Sequence, residues 1–323
     1  MTINQLYFSD EQNMLREQIR RFVEQEVVPH GEAWEHAGQV PREVLRKMGE
    51  LGFLGIRYPE EYGGSNMNTL GSVILAEELG RSSFGGFAVT VTVHTDMASP
   101  HLANFGNKAQ KDKYFADLIA GRKICAVGVT EPDAGSDVAG IRTTAVADGD
   151  HYVLNGTKMF ITNGVLGDVY FVAAKTDPNV KGSRGITMFI VEKGTPGFSV
   201  GRALDKQGWR CSDTAELIFD NCRVPRENIL GELNKGFYSI MRNFQNERTV
   251  LAAQSMGEAA RALELTLQYV QERKAFGATL WDKQTIRQRL AMLQAKVEAG
   301  RQLTYHAAWL DAQGVDAVKE VSM

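Results

Sequence analysis

From Arg122 to about Pro225 the chain never holds one pattern long enough to make a crossover helix. Its apolar runs are short and lie between Gly, Asn and Asp turns: Ile124–Val129, Thr143–Ala147, Tyr152–Leu154, Met159–Thr162, Val169–Lys175, Ile186–Glu192, Phe198–Val200 and Glu216–Phe219. Short strands at this spacing predict a β-barrel or sandwich. They argue against βαβ units, and no GxGxxG lies between a strand and a helix, so a doubly wound nucleotide fold is not expected.

Both flanks are helical in pattern. Ser9 is a candidate N-cap for a helix over residues 9–28, whose Leu15, Ile19, Phe22 and Val23 recur at helical spacing, with Pro29 at its end. Pro41 to Gly52 predicts a second helix and Tyr58 to Ser65 a loop. Asn68–Gly80, Phe87–Phe105 and Asn107–Ile119 continue the helical pattern. After Gly231 two long helices are expected, about Lys235–Lys274 and Gln284–Ala312. The expected fold class is therefore α+β and multidomain. An all-α domain covers residues 1–121, a β-barrel-like domain residues 122–230 and a helical bundle residues 231–323.

Composition removes several functions. A net charge of −3 gives no reason to expect nucleic acid or an acidic membrane surface. No run reaches the ~18 apolar residues of a membrane span. Met1 to Asp10 has neither a basic nor an apolar signal region. The 3 cysteines form no CxxC pair and suit a reducing compartment, so a cytoplasmic location is expected. The scattered histidines show no HExxH or i,i+4 pair, and no metal site is expected. There is no P-loop, and Gly135-Ser136 lacks the frame of a nucleophile elbow.

Two stretches carry possible chemistry. Val127-Gly128-Val129-Thr130-Glu131-Pro132-Asp133-Ala134-Gly135-Ser136-Asp137 reads as a buried strand opening into a loop. Gly135 there allows close backbone approach, and Thr130 and Ser136 bring hydroxyls. On residues alone it is either a ligand-binding strand end or an ordinary surface turn. In the first long helix, Phe237, Ile240, Met241, Phe244 and Leu251 share one face. Arg248 projects near the middle of that face and Glu247 at its edge, as a structural ion pair or a functional carboxylate.

The Val127–Asp137 string resembles the flavin-binding signature of the acyl-CoA dehydrogenases. Leu154-Asn155-Gly156-Thr157-Lys158-Met159-Phe160-Ile161-Thr162-Asn163-Gly164 resembles that family's second flavin segment, and Glu272-Arg273-Lys274-Ala275-Phe276-Gly277 with Gln284 its third. The likeness covers nearly the whole chain, and three motifs in order are far more specific than one. Asn246-Glu247-Arg248 matches the placement of the catalytic glutamate in the long-chain and isovaleryl subgroups. Leu230–Tyr238 and Val28-Pro29-His30 also look most like the long-chain type.

The resemblance implies FAD as cofactor. It puts Val127, Val129, Thr130, Gly135, Ser136, Phe160, Ile161 and Thr162 at the flavin, with Phe160 where many members carry Trp. Arg273, Phe276 and Gln284 match residues that hold the dinucleotide end across a subunit boundary. Glu247 is implied as the base that takes an acyl-CoA α-proton, with Ser136, Phe237, Phe244 and Arg248 on the substrate side. Desolvation by an acyl chain would raise the pKa of Glu247, and Arg248 would moderate that rise. The family also implies electron-transfer flavoprotein as partner, a homotetramer, and a four-helix C-terminal bundle that continues beyond Met323, so the bundle is expected to be incomplete here. An acyl-CoA oxidase or monooxygenase of the same fold, or a non-catalytic acyl-CoA-binding fragment, stay open as alternatives.

Overall fold

A computed structural model describes residues 6–180 and 182–323. Residues 1–5 of the N-terminal stretch read above lie outside them. The chain forms two compact units, neither of them continuous in sequence.

One unit takes the residues up to Glu32, Met67–Ala88 and Arg248–Met323. Ser9 caps the helix Asp10–Phe22, accepting from the Gln12 N–H while the Gln12 side chain returns to the Ser9 amide. Beyond Phe22 the helix loosens into a π turn, Val23–Val27. The helix Thr69–Gly80 is buried along its whole length, because its sequence is apolar on every side and its only charged residues are Glu77 and Glu78. Those two carboxylates are matched inside the unit. Arg16 reaches Glu77 at 2.7 Å and Glu78 at 3.0 Å, and Arg301 reaches Glu77 at 2.8 Å. Glycines let this helix cross the helix Gly236–Glu272 closely. A Cβ on Gly257 would stand 2.0 Å from the Glu77 carbonyl oxygen, and one on Gly80 would stand 2.2 Å from that of Gln254.

The other unit takes Ala33–Asn66 and Val89–Glu247 and holds the β-region. Its strands are β1 (Cys125–Gly128), β2 (Thr144–Asp148), β3 (His151–Thr162), β4 (Val169–Lys175), β5 (Ile186–Glu192), β6 (Phe198–Ala203), β7 (Thr214–Pro225) and β8 (Ile229–Leu230). They order as β6-β7-β3-β2-β4-β5-β8, with β1 lying parallel on β4. The sheet is thus mixed, and among the described residues it does not close into a barrel. The runs Tyr152–Leu154 and Met159–Thr162, expected as separate strands, are one strand. Asn155-Gly156 makes a register shift in β3 and not a turn, with Gly156 at φ +146° where a side chain would strike Thr143.

Alternation along β4 explains its unbroken apolar sequence. Val169, Phe171 and Ala173 enter one buried cluster, while Tyr170, Val172 and Ala174 enter a second. Ile186, Met188 and Ile190 of β5 join the first, and Phe189 and Val191 the second. Each large side chain so buried contributes roughly 1.5–3 kcal/mol. The first cluster also takes Leu102 of the helix Ser99–Phe105 and Tyr114, Phe115, Leu118 and Ile119 of the helix Lys108–Ile119.

The stretch Phe87–Phe105, expected as one helix, is helical throughout but changes register. Gly85–Thr92 is α, Val93–Ala98 is π and Ser99–Phe105 is α again. Pro100 has no N–H to offer the carbonyls of Thr95 or Asp96, so other donors come in from the side. The Tyr58 hydroxyl donates to the Thr95 carbonyl. No helix among the described residues is long and apolar enough to cross a membrane.

Candidate active site

β1 ends at Gly128, and the chain turns through Thr130–Asp137 at the end of a buried strand. One ion pair fixes this turn. Lys158, fully buried in β3, donates from Nζ to Glu131 Oε1 at 2.7 Å and to the Val129 carbonyl at 3.0 Å. Glu131 also accepts the backbone N–H groups of Arg142 at 2.5 Å and Thr143 at 3.0 Å. Burial pulls Lys158 down to about 8 against the attraction of Glu131. Burial alone would raise Glu131, but Lys158 and its other donors hold it below the usual carboxylate range. The Met159 N–H donates to the Thr130 carbonyl at 2.9 Å. The first two motifs are thereby one structural piece, and the pair that joins them was not among the residues singled out from sequence.

Opposite that pair β3 bulges between Lys158 and Ile161. Phe160 takes φ +61° and is 60% exposed, an expensive conformation for a bulky residue that turns its ring outward. Ile161 is buried, Thr162 half-buried, and Asn163 buried at φ +59° with its amide donating to the Thr90 carbonyl at 3.0 Å. Thr130 is half-buried; Gly135 and Ser136 are exposed. A Cβ on Gly135 would meet no atom within 4 Å, so nothing in the chain itself demands glycine there. A strained outward aromatic ring, threonine hydroxyls on the adjoining segments and a glycine that only an occupant could require fit a planar ring with a hydrogen-bonding edge. Val127 and Val129, half-buried, pack on the first cluster beside Phe237, Met241 and Phe244.

The helix Gly236–Glu272 carries Glu247. The edge and the centre of its inner face are exchanged relative to expectation. Arg248 is exposed and Leu251 is 37% exposed, whereas Glu247 is half-buried in line with Ile240 and Asn243, both buried. The polar Asn243, not a hydrophobe, marks the inward stripe, which is why an apolar count misplaced it. Asn243 Nδ2 donates to Glu247 Oε1 at 2.8 Å and to the Met97 carbonyl at 2.9 Å. Asn246 Nδ2 donates to the Asp96 carbonyl at 2.7 Å, a carbonyl to which Pro100, four residues on, has no N–H to offer. Arg57 bonds the Asn246 side-chain oxygen and stands 3.9 Å from the Asp96 carboxylate.

The third motif lies in the other unit. Lys274–Ala275 and Ala278–Thr279 pair as a hairpin whose two turn residues, Phe276 at φ +55° and Gly277 at φ +78°, match a type I′ turn. Asn is the favoured residue before that glycine; here it is a phenylalanine, 95% exposed. Arg273 is exposed, and exposed Gln284 begins the helix Gln284–Ala312.

Comparison with known proteins decides the family. The N-terminal domain of acyl-CoA dehydrogenases matches residues 9–122, the middle domain residues 126–222 and the C-terminal domain residues 234–323. The chain belongs to the acyl-CoA dehydrogenase family. It is an enzyme of the oxidoreductase class to which that family belongs. An acyl-CoA dehydrogenase of Bacillus subtilis (strain 168) is 40% identical over 98% of this chain and 83% of its own length. The mitochondrial long-chain specific acyl-CoA dehydrogenase of Mus musculus is 41% identical over 90% of this chain and 67% of its own. The crystal structure of an acyl-CoA dehydrogenase from Geobacillus kaustophilus superposes with a TM-score of 0.94 at 43% identity, covering 98% of this chain and 83% of that one.

Proposed function

We propose that this acyl-CoA dehydrogenase converts an acyl-CoA thioester to the trans-2-enoyl-CoA, with Glu247 as the base that takes the α-proton. Support comes chiefly from one observation. Glu247 is a half-buried carboxylate, oriented by an amide, on the helix whose Phe237 and Phe244 pack on the same apolar cluster as Val127 and Val129. A carboxylate there can meet an apolar acyl chain and a strand-end ring site together.

FAD fits as cofactor, with Val127, Val129, Thr130, Gly135, Ser136, Phe160, Ile161 and Thr162 at its ring system. Arg273, Phe276 and Gln284 hold the dinucleotide end of a neighbouring subunit's FAD, which gives the strained, exposed Phe276 ring a role. When bound, FAD supplies the acceptor for the β-hydride. Glu247 accepts the α-proton as the Cα–H bond breaks and the Cα=Cβ bond forms. In this reading Phe237 and Phe244 exclude water from that carbon, exposed Ser136 is assigned to the substrate, and exposed Arg248 steers the anionic thioester. The enzyme works as a cytoplasmic homotetramer and passes its electrons to electron-transfer flavoprotein.

The test is anaerobic titration of FAD-loaded protein with acyl-CoAs of graded length. The yellow absorbance should bleach with one of them and recover slowly in air. Fast recovery in air identifies an oxidase or monooxygenase, and no bleaching with any chain length removes the dehydrogenase reading.

A further inference from the structure

We propose that Asn243 is a positioning residue that sets the basicity and direction of Glu247. The inference rests on the reading of Glu247 as the base. Asn243 is 4% exposed, and its Nδ2, which carries two protons, has two short acceptors, Glu247 Oε1 at 2.8 Å and the Met97 carbonyl at 2.9 Å, with the Asp96 carbonyl a longer contact at 3.4 Å. A carbonyl can only accept, so Met97 requires the nitrogen end of the amide to face inward. The second N–H is then aimed at the carboxylate.

The Met97 carbonyl belongs to the π turn Val93–Ala98, whose neighbouring Asp96 carbonyl accepts from Asn246 one turn further along the same helix. Two asparagines spaced three apart thus clamp Glu247's turn of helix onto the π turn. Donation to the ionised carboxylate favours its charged form. Losing that donor shifts Glu247 toward its protonated form when an acyl chain desolvates it, which leaves less of the base. The charged and titratable groups around this network are Asp96 and Arg57 across from the helix, Arg242 and Arg248 on it, Tyr58 beside the π turn and His94 within it. All of them are kept in the variants below.

The test compares wild type, Asn243→Leu, Asn243→Asp and Glu247→Gln, each as the full chain loaded with FAD. Asn243→Leu should lower kcat about tenfold, leave KM within about twofold and move the acid limb of kcat/KM up by about one pH unit. Asn243→Asp keeps the shape but replaces a donor with an acceptor, and should move the limb further in the same direction. Infrared titration of the protonated Glu247 carboxyl, identified by its loss in Glu247→Gln, should follow the same shift without turnover. A merely structural asparagine moves neither the limb nor the infrared titration. An unmoved limb in whichever variant folds, with Glu247→Gln inactive, overturns the role of Asn243 alone. Retained α-proton exchange in Glu247→Gln overturns the base assignment and this inference with it.

Discussion

Replacing Glu131 by Gln should cost several kcal/mol at neutral pH and little in alkali. Lys158 and Glu131 are 0% and 5% exposed at the side chain, with 2.7 Å between Nζ and Oε1. The variant keeps the shape and leaves Lys158 buried without its counter-charge, a change that costs about 3–5 kcal/mol. The sign of the pH dependence follows from Lys158, whose pKa falls from 10.5 to about 8 on folding. Below that value the ion pair exists and can be broken. Above it wild-type Lys158 has itself lost its proton, and the substitution then removes only a hydrogen bond, about 1 kcal/mol. Urea unfolding of both proteins from pH 6.5 to 9.5 should show the gap narrowing through pH 8. Lys158→Met with Glu131→Leu should recover most of the loss, because an apolar pair needs no compensation. A gap that stays constant across that range, or is below about 1 kcal/mol at pH 6.5, refutes the reasoning.

Two further outcomes separate residues kept for folding from residues kept for a ligand. Gly135→Ala should change stability by less than about 0.5 kcal/mol, since the added methyl meets nothing within 4 Å, yet weaken FAD binding about tenfold by fluorescence titration. Phe276→Asn should stabilise the FAD-free chain by about 1 kcal/mol by relieving a left-handed aromatic, while purified protein retains less FAD.

Much of this arrangement was legible in the residues. Continuous apolar runs located β4 and β5, and Ser9 located a cap, because burial and capping act on neighbours in sequence. The bulge at Phe160 was not, since nothing local announces a phenylalanine with positive φ. It is imposed by pairing with β7 across the sheet. Lys158 lies within a motif, but nothing local marks it as buried and paired, as its partner lies 27 residues away. The inner face of the Glu247 helix was misjudged for a related reason. Its stripe is set by the Asp96 and Met97 carbonyls of the π turn, which Asn246 and Asn243 meet with side-chain donors. Polar anchors of this kind are invisible to any count of apolar periodicity.

The central claim is that Glu247 removes the α-proton. The most direct measurement is exchange of the acyl-CoA α-hydrogen with D₂O, followed by mass spectrometry under anaerobic conditions, for wild type and Glu247→Gln with equal FAD content. The account predicts rapid exchange in the wild type and a loss of at least about a hundredfold in the variant. Exchange at the wild-type rate in Glu247→Gln contradicts it.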